Sequence, residues 1–172
     1  MQSKGRGTFL LRIALGYGFL FAGLDKFLDL AGSGKAFTAA GFLKFATGGA
    51  WVGVADPKAI VNPTHGFWVS LASNASLIHV IDTLVVFGEI AIGVALILGL
   101  ATRFAGVAGT LMMALFYVAN WGFGNGLVNE QFMYGAVAAY LAYVGAGAYA
   151  LDSVIEKLAI TQRIPAVRYV LG

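Results

Sequence analysis

Long apolar runs are the feature that most constrains this chain. A helix needs about 20 mostly apolar residues to cross the hydrocarbon core of a membrane. Four stretches meet that requirement, over about 8–28, 77–100, 102–121 and 130–151. Only 11% of the 172 residues are charged, whereas a soluble globular protein carries about 25%. A chain with so few charged residues does not have enough of them to cover its surface in water. The sequence therefore predicts an all-α integral membrane four-helix bundle, which forms one domain over 1–172.

The connections between the four spans differ in length. Residues 100–103 leave room only for a tight hairpin, and 122–129 are rich in glycine and asparagine, which is typical of a turn. The connection over 29–76 is long, and its segments 35–51 and 65–73 are aromatic and helix-compatible but too short to span. We expect one or two short helices there, lying at the outer interface and capping the bundle. Residues 152–172 are expected to form a cytoplasmic tail.

Basic residues predict the orientation of the chain. Cytoplasmic loops of membrane proteins carry an excess of Lys and Arg. Seven of the eleven basic residues lie at the start of the chain, in the tight hairpin and in the tail. Both termini are therefore expected on the cytoplasmic side of a plasma membrane that the chain crosses several times. The basic residues form no block and accompany no nucleic-acid motif, so membrane lipid is an expected partner and nucleic acid is not.

Ionisable residues interrupt the first two apolar runs. A charge inside a membrane span is costly and usually faces the interior of the bundle. In the second span, His79, Asp82 and Glu89 are separated by three and seven residues, which predicts that they share one helix face. In the first span, Arg12 and Lys26 are fourteen residues apart and also share a face. Two polar stripes on neighbouring helices favour pairing between the helices.

Depth along the helices indicates which residues should pair. With about 1.5 Å of rise per residue, Lys26 should lie level with Asp82, and Arg12 should lie within reach of Glu89. Glu89 falls near the bilayer centre, where a carboxyl group must be protonated, paired with a cation or turned towards a wet or ligand-filled cavity. Arg12 and Lys26 could instead snorkel to the interface, and His79 could be an interfacial histidine.

The types of residue in the chain limit which ligands it can bind. The chain has no cysteine and two histidines on different segments, so we predict neither a metal site nor haem. Nucleotide-binding motifs and a serine triad are absent from the sequence. A quinone head group at the membrane interface fits a site of aromatic, small and a few polar residues. In this hypothesis Glu89 and Asp82 handle protons. The side chains expected to contact the quinone are Lys26, His79, Arg12, Trp121 and Tyr134.

Rows of small residues predict helix contacts. Ala91, Ala95 and Gly99 recur every four residues in the second span. Residues 138, 142 and 146 in the fourth span, all alanines, do the same. Such rows let helix backbones approach closely in lipid.

Several stretches resemble the DoxX/DoxD superfamily. The first span carries Arg12-Ile-Ala-Leu-Gly16 and Phe21-Ala-Gly-Leu-Asp-Lys26. The second carries Gly88-Glu89-Ile-Ala-Ile-Gly93, followed by Gly99-Leu-Ala-Thr-Arg103. Asn62-Pro63 before the second span and Gly145-Ala-Gly-Ala-Tyr-Ala-Leu-Asp152 at the end of the fourth resemble the DoxD branch in particular.

The resemblance implies a four-helix membrane subunit of a quinone-linked oxidoreductase. Its reference activity is that of thiosulfate:quinone oxidoreductase, in which a DoxD subunit works with a small partner, DoxA. The implied setting is a prokaryotic cell membrane with other membrane subunits as partners, and a homo-oligomer is compatible with it. One alternative stays open. The chain could be a structural or assembly subunit of a larger respiratory complex, with its ion pairs holding helices together.

Overall fold

The regular structure of this protein is helical throughout the residues that the computed structural model describes, which are 2–30, 32–45, 62–121, 127–156 and 170–171. The helices are α1 (Gln2–Leu28), α2 (Ala39–Phe45), α3 (His65–Ser73), α4 (Ala75–Leu98), α5 (Thr102–Ala119), α6 (Glu130–Val144) and α7 (Asp152–Ile155). The expected short helices of the long connection are α2 and α3. In the predicted helical segment over 35–51, residues 35–38 precede the helix and are not helical, and residues 46–51 lie outside the described residues, as does most of the tail.

Helices α1, α4, α5 and α6 form an antiparallel bundle. α1 packs most extensively on α4, and α5 on α6, while α4–α5 and α1–α6 contacts complete the bundle. In the described part of the chain, three helices are long and apolar enough to cross a membrane: Gly5–Leu28, Ala75–Leu98 and Thr102–Ala119. The predicted all-α membrane bundle is confirmed. We call the end covered by α2 and α3 the capped end, and the end where α4 turns into α5 the hairpin end.

The fourth predicted span is shorter than expected. α6 ends at Val144 instead of continuing to about residue 151, and its 15 residues extend about 22 Å along the helix axis. Gly145 breaks the helix with a φ of 83°, and positive φ values recur at Gly147 and Tyr149. Residues 145–150 therefore form a loop that folds back over the hairpin end, and we call it the α6 loop.

Glycines bring α1 and α4 into close contact. A Cβ on Gly93 would lie 2.5 Å from the backbone nitrogen of Leu20. Gly23 faces Ile90 and Gly16 faces Ile97, with equally little space for a side chain. Because Cβ atoms do not fit at these positions, the glycines fix how far one helix is shifted along the other.

The predicted rows of small residues are partly correct. In α6, Ala138 is fully buried, and a Cβ on Gly106 of α5 would lie 2.7 Å from the backbone nitrogen of Ala142. In α4, however, Ala91 is exposed. The contact with α1 runs through Gly93 instead, because the face that meets α1 includes position 93 and not position 91.

Polar side chains fasten the cap to the bundle. The side chain of Asn62 donates hydrogen bonds to the carbonyl oxygens of Val118 (2.7 Å) and Ala119 (2.9 Å) at the end of α5. Asp82 Oδ1 accepts a hydrogen bond from the backbone nitrogen of Ala39, at 2.7 Å, where α2 begins. The ends of helices carry backbone groups without partners in the helix, so these contacts satisfy them and fix the position of the cap.

Candidate functional site

Lys26 and Glu89 form an ion pair between α1 and α4. Lys26 Nζ lies 3.0 Å from Glu89 Oε1 and 2.8 Å from Oε2, and it donates a third hydrogen bond to the carbonyl oxygen of Ala22 at 3.3 Å. The Glu89 side chain is 4% exposed and that of Lys26 is 24% exposed. The pair therefore places a nearly buried carboxylate beside an ammonium that still reaches a surface.

The observed partner of Lys26 differs from the expected one. Lys26 was expected level with Asp82, but the glycine contacts set Gly23 beside Ile90 and hence Lys26 beside Glu89. α4 begins at Ala75 and extends past the end of α1 towards the cap. The expectation was wrong because it assumed that both helices reach the capped end at the same level.

A cavity opens beside the ion pair. It has a volume of about 290 Å³ and lies among α1, α4, α5 and α6, towards the capped end. We call it the polar cavity. Its lining residues are Gly18, Phe19, Ala22, Lys26, Glu89, Met113, Phe116, Glu130, Gln131 and Tyr134. Charged and hydrogen-bonding side chains therefore meet aromatic and apolar side chains around one space, as is typical of sites for small organic ligands.

Gln131, which lines the polar cavity, has a buried acceptor without a partner in the described part of the chain. Its Oε1 is buried and accepts no hydrogen bond from the described residues, while its Nε2 donates to Glu130 at 3.0 Å. A buried acceptor without a partner is costly. A ligand hydroxyl group or a water molecule in the polar cavity could satisfy it.

A second cavity adjoins the first beneath the cap. It measures about 180 Å³ and shares Lys26, Phe116 and Gln131 with the polar cavity. Phe37 also lines it, and the Lys26 ammonium lies 5.6 Å from the centre of that ring. The ammonium thus stands between the two cavities, within reach of both.

Arg12 lies away from Glu89 and binds the α6 loop. Its two terminal nitrogens donate hydrogen bonds to the carbonyl oxygens of Ala146 (2.8 Å) and Tyr149 (2.8 Å), with a longer one to Ala148 at 3.5 Å. Arg12 is fully buried. Arg12 therefore neither pairs with Glu89, as expected, nor snorkels to the interface. In a continuous helix the carbonyl oxygens of Ala146, Ala148 and Tyr149 would accept hydrogen bonds from the helix itself, whereas in the α6 loop they accept those of Arg12.

Asp152 completes this arrangement at the hairpin end. It is fully buried and accepts hydrogen bonds from the backbone nitrogens of Ala101 (2.6 Å) and Thr102 (2.9 Å), where α5 begins. It also interacts electrostatically with Arg12. The two charges fasten the α6 loop, the hairpin and α1 together, far from the polar cavity.

The remaining predicted site residues lie at different positions. Tyr134 lines the polar cavity. Asp82 holds the start of α2, His79 is exposed on α4, and Trp121 packs against Tyr117 with ring centres 5.8 Å apart. Of the seven residues predicted, the structure therefore brings Lys26, Glu89 and Tyr134 together. Within the described residues, His, Asp and Glu side chains form no group of three that could hold a metal ion.

Three residues with a part in this arrangement are not among the seven predicted site residues. The sequence places Gln131 at the outer end of the fourth span, one turn before Tyr134 on the same helix, but does not show that it lines a cavity. Asn62 and Asp152 anchor the ends of helices, and the apolar pattern of the sequence does not show where those helices end.

Comparison with known families agrees with the resemblance in the sequence. The family model described as "TQO small subunit DoxD" matches residues 8–166. The match covers α1 from residue 8 onwards and the whole of α4, α5 and α6, and it includes Lys26, Glu89, Arg12 and Asp152. No curated protein and no solved structure matches the chain. Since the family model covers nearly the whole sequence, this membrane protein belongs to the DoxD family, which the model describes as the small subunit of thiosulfate:quinone oxidoreductase.

Proposed function

We propose that the polar cavity binds the head group of a quinone and that Glu89 exchanges protons with it. The protein would then be the quinone-reducing membrane subunit of a thiosulfate:quinone oxidoreductase. One observation carries this proposal: Glu89 is a nearly buried carboxylate that lines a cavity and is held by an ammonium at 2.8 Å. By contrast, Arg12 and Asn62 donate their hydrogen bonds to backbone carbonyl oxygens.

The lining of the cavity suits a ring that carries oxygen atoms. Phe19, Met113 and Phe116 supply apolar walls. Lys26 and Tyr134 offer hydrogen-bond donors, and Gln131 offers a buried acceptor. Quinone carbonyl oxygens accept hydrogen bonds and hydroquinone hydroxyl groups donate them, so the lining can serve both forms of the ring.

The stoichiometry of the reaction requires a source of protons. Reduction of a quinone takes up two electrons and two protons, whereas oxidation of two thiosulfate ions to tetrathionate releases two electrons and no protons. In hydrocarbon a carboxyl group is stable as a neutral acid or as a carboxylate paired with a cation. Glu89 can therefore hold and release a proton, and the position of the Lys26 ammonium determines which form is favoured.

Lys26 has a second role in this proposal. Its ammonium adjoins the cavity beneath the cap as well as the polar cavity. Turning from Glu89 towards a ring oxygen would bring positive charge to the site where electron density increases. The same movement would leave Glu89 free to take up a proton from the capped end.

The partner and the orientation follow from the same proposal. A DoxA-like subunit would contact this chain, and the sulfur compound would approach from the capped end, outside the plasma membrane. The chain contributes no thiol and we assign it no metal, so electrons would pass from the sulfur compound to the quinone at this end or through the partner subunit.

Substitution of the carboxyl group tests the proposal. Glu89→Gln keeps the size of the side chain and a hydrogen bond to Lys26 but cannot exchange protons. We expect quinone-dependent turnover of the purified complex to fall by about 100-fold or more, the usual contribution of a proton-transfer group. Glu156→Gln, on an exposed residue at the hairpin end, is the matched control and should retain activity. Full turnover by a folded Glu89→Gln protein would contradict the role of Glu89.

The same ion pair favours a second candidate function. Lys26 and Glu89 join α1 to α4 at their glycine contact, as expected for a structural or assembly subunit in which charges hold helices in place. A Lys26→Met and Glu89→Met double variant separates the two functions, because an apolar pair of similar size often restores the stability of a buried ion pair. A stable complex with full turnover supports the structural role, and a stable complex without turnover supports the redox role.

A further inference from the structure

An apolar groove lies on the membrane-facing side of α5 and α6. Its volume is about 370 Å³, and Ala114, Val118, Phe132, Ala136 and Ala139 are among its lining residues. Ala136 and Ala139 are exposed, so the groove opens towards lipid. We call it the lipid groove.

The lipid groove adjoins the polar cavity. Met113 and Gln131 line both spaces. A Cβ on Gly135 would lie 3.3 Å from Met113 Cβ, so α6 has a glycine where it meets this side chain. Methionine is flexible and adapts its shape to irregular gaps. The two spaces therefore share two unbranched, rotatable side chains.

The two spaces have complementary chemistry. The polar cavity holds a carboxylate, an ammonium and a buried amide oxygen. The lipid groove is lined mainly by apolar side chains, with Thr110, Tyr117 and Gln131 as its polar members. A molecule that fills both must have a compact polar ring at one end and a long hydrocarbon chain at the other. A phospholipid fits less well, because its bulky charged head group belongs at the membrane surface and not beside a buried carboxylate.

We propose that the lipid groove binds the hydrocarbon tail of the same quinone whose head group occupies the polar cavity. This inference rests on the proposed function and adds the place where the tail binds and the route by which the quinone enters, sideways from the bilayer between α5 and α6. The small side chains of Ala136 and Ala139 leave the path open. Movement of Met113 and Gln131 allows the ring to pass.

Tail-length dependence tests this inference. The full complex, or the chain in lipid nanodiscs, is titrated with two quinones of identical ring, one without a tail and one with a decyl tail. Affinities are expressed relative to the quinone concentration in the lipid phase, so that partitioning of the tail into the bilayer cancels. The variants are Ala139→Phe and Ala136→Phe, which fill the groove, and Ala91→Phe on the exposed face of α4 as the matched control.

The wild type and the control should bind the tailed quinone more tightly than the tail-less one. Each groove variant should lose about tenfold in affinity for the tailed quinone, or about 1.4 kcal/mol, and keep its affinity for the tail-less ring. Two substitutions are used so that misfolding of one leaves the other as a test.

The other outcomes are distinguishable. If the wild type binds neither quinone, the proposed function fails and this inference fails with it. If the wild type binds both and neither groove variant changes the preference for the tail, the tail lies elsewhere, and the lipid groove holds ordinary acyl chains while the proposed function stands. An equal loss of both quinones in the groove variants would also overturn the inference, since it would show that filling the groove disturbs the ring site.

Discussion

The buried charges of this protein have two kinds of partner. Arg12 and Asp152 bind backbone groups at the ends of helices and loops. Lys26 and Glu89 bind each other beside a cavity. Charges that satisfy backbone groups serve stability, because an unsatisfied backbone group in a membrane is expensive. A charge pair that borders a cavity can be separated by a ligand, and for this reason we propose a functional role for Lys26 and Glu89 and a structural role for Arg12 and Asp152.

Arg12 should not tolerate replacement by lysine. A lysine has a single terminal nitrogen and lacks the planar fork with which Arg12 reaches Ala146 and Tyr149 together. Arg12→Lys should therefore lower the free energy of unfolding by about 1–3 kcal/mol, the cost of one unsatisfied buried group, as measured by thermal unfolding in detergent.

Arg6→Lys on the exposed side of the same helix is the control and should leave stability unchanged. Equal stability of Arg12→Lys and the wild type would show that the α6 loop does not depend on the guanidinium. Quinone binding by the folded fraction of Arg12→Lys should be normal, because Arg12 lies outside the polar cavity.

At the scale of the helices, glycine contacts determine which side chains meet. Gly16, Gly23 and Gly93 let α1 and α4 approach until backbone and side-chain atoms touch. This approach sets the register of the two helices, and the register places the Lys26 ammonium 2.8 Å from Glu89. The geometry of the candidate site therefore depends on glycines, which have no functional group in a side chain.

Gly93→Ala should weaken the contact between α1 and α4. Its Cβ would lie 2.5 Å from the backbone nitrogen of Leu20, so the helices must separate. We expect a loss of about 1–3 kcal/mol in the free energy of unfolding, as for other overpacked sites. Gly7→Ala is the matched control on α1, where a Cβ would meet nothing within 4 Å, and it should stabilise the helix slightly. The reverse order of stabilities would contradict the glycine register.

The sequence predicts most helices but fewer of their contacts. Apolar runs and the helix-breaking residues between them predict α1, α3, α4 and α5, because the length and hydropathy of a segment are local properties of the sequence. The end of α6 was placed too late, since a loop stabilised by Arg12 from a distant helix has no local signal. The partner predicted for Lys26 was also wrong, because the register of two helices depends on close contacts that cannot be read from the spacing of residues in the sequence. Glu89 could be selected as a candidate site residue from the sequence, because a carboxyl group deep in an apolar run stands out however the helices are shifted against each other.

The whole molecule divides into two halves. The hairpin end is closed by Arg12, which donates hydrogen bonds to the α6 loop, and by Asp152, which accepts one from the backbone of Ala101. The capped end contains the polar cavity and the smaller cavity beneath α2. In our proposal, stability and ligand binding are thus located at opposite ends of the bundle. The capped end is also where a partner subunit would deliver electrons in our proposal.

Labelling of single cysteines tests the predicted orientation. The chain contains no cysteine, so an introduced one is labelled without background. Lys35→Cys lies in the connection before α2, and Glu156→Cys follows α7. If four helices cross the membrane and both termini are cytoplasmic, an impermeant thiol reagent added to intact cells should label Lys35→Cys and leave Glu156→Cys unlabelled. Labelling of both would show that α6, with its 15 residues, does not cross.

Photo-crosslinking of the quinone ring tests the central claim most directly. A quinone with a photoreactive group on its ring is bound to the purified wild-type protein, irradiated and located by peptide mass spectrometry. The ring should attach to the part of α6 that contains Gln131 and Tyr134, or to α1 near Lys26, and excess unmodified quinone should prevent the labelling. Attachment confined to the hairpin end, or to the exposed faces around His79 and Trp121, would contradict a quinone site beside the Lys26–Glu89 pair.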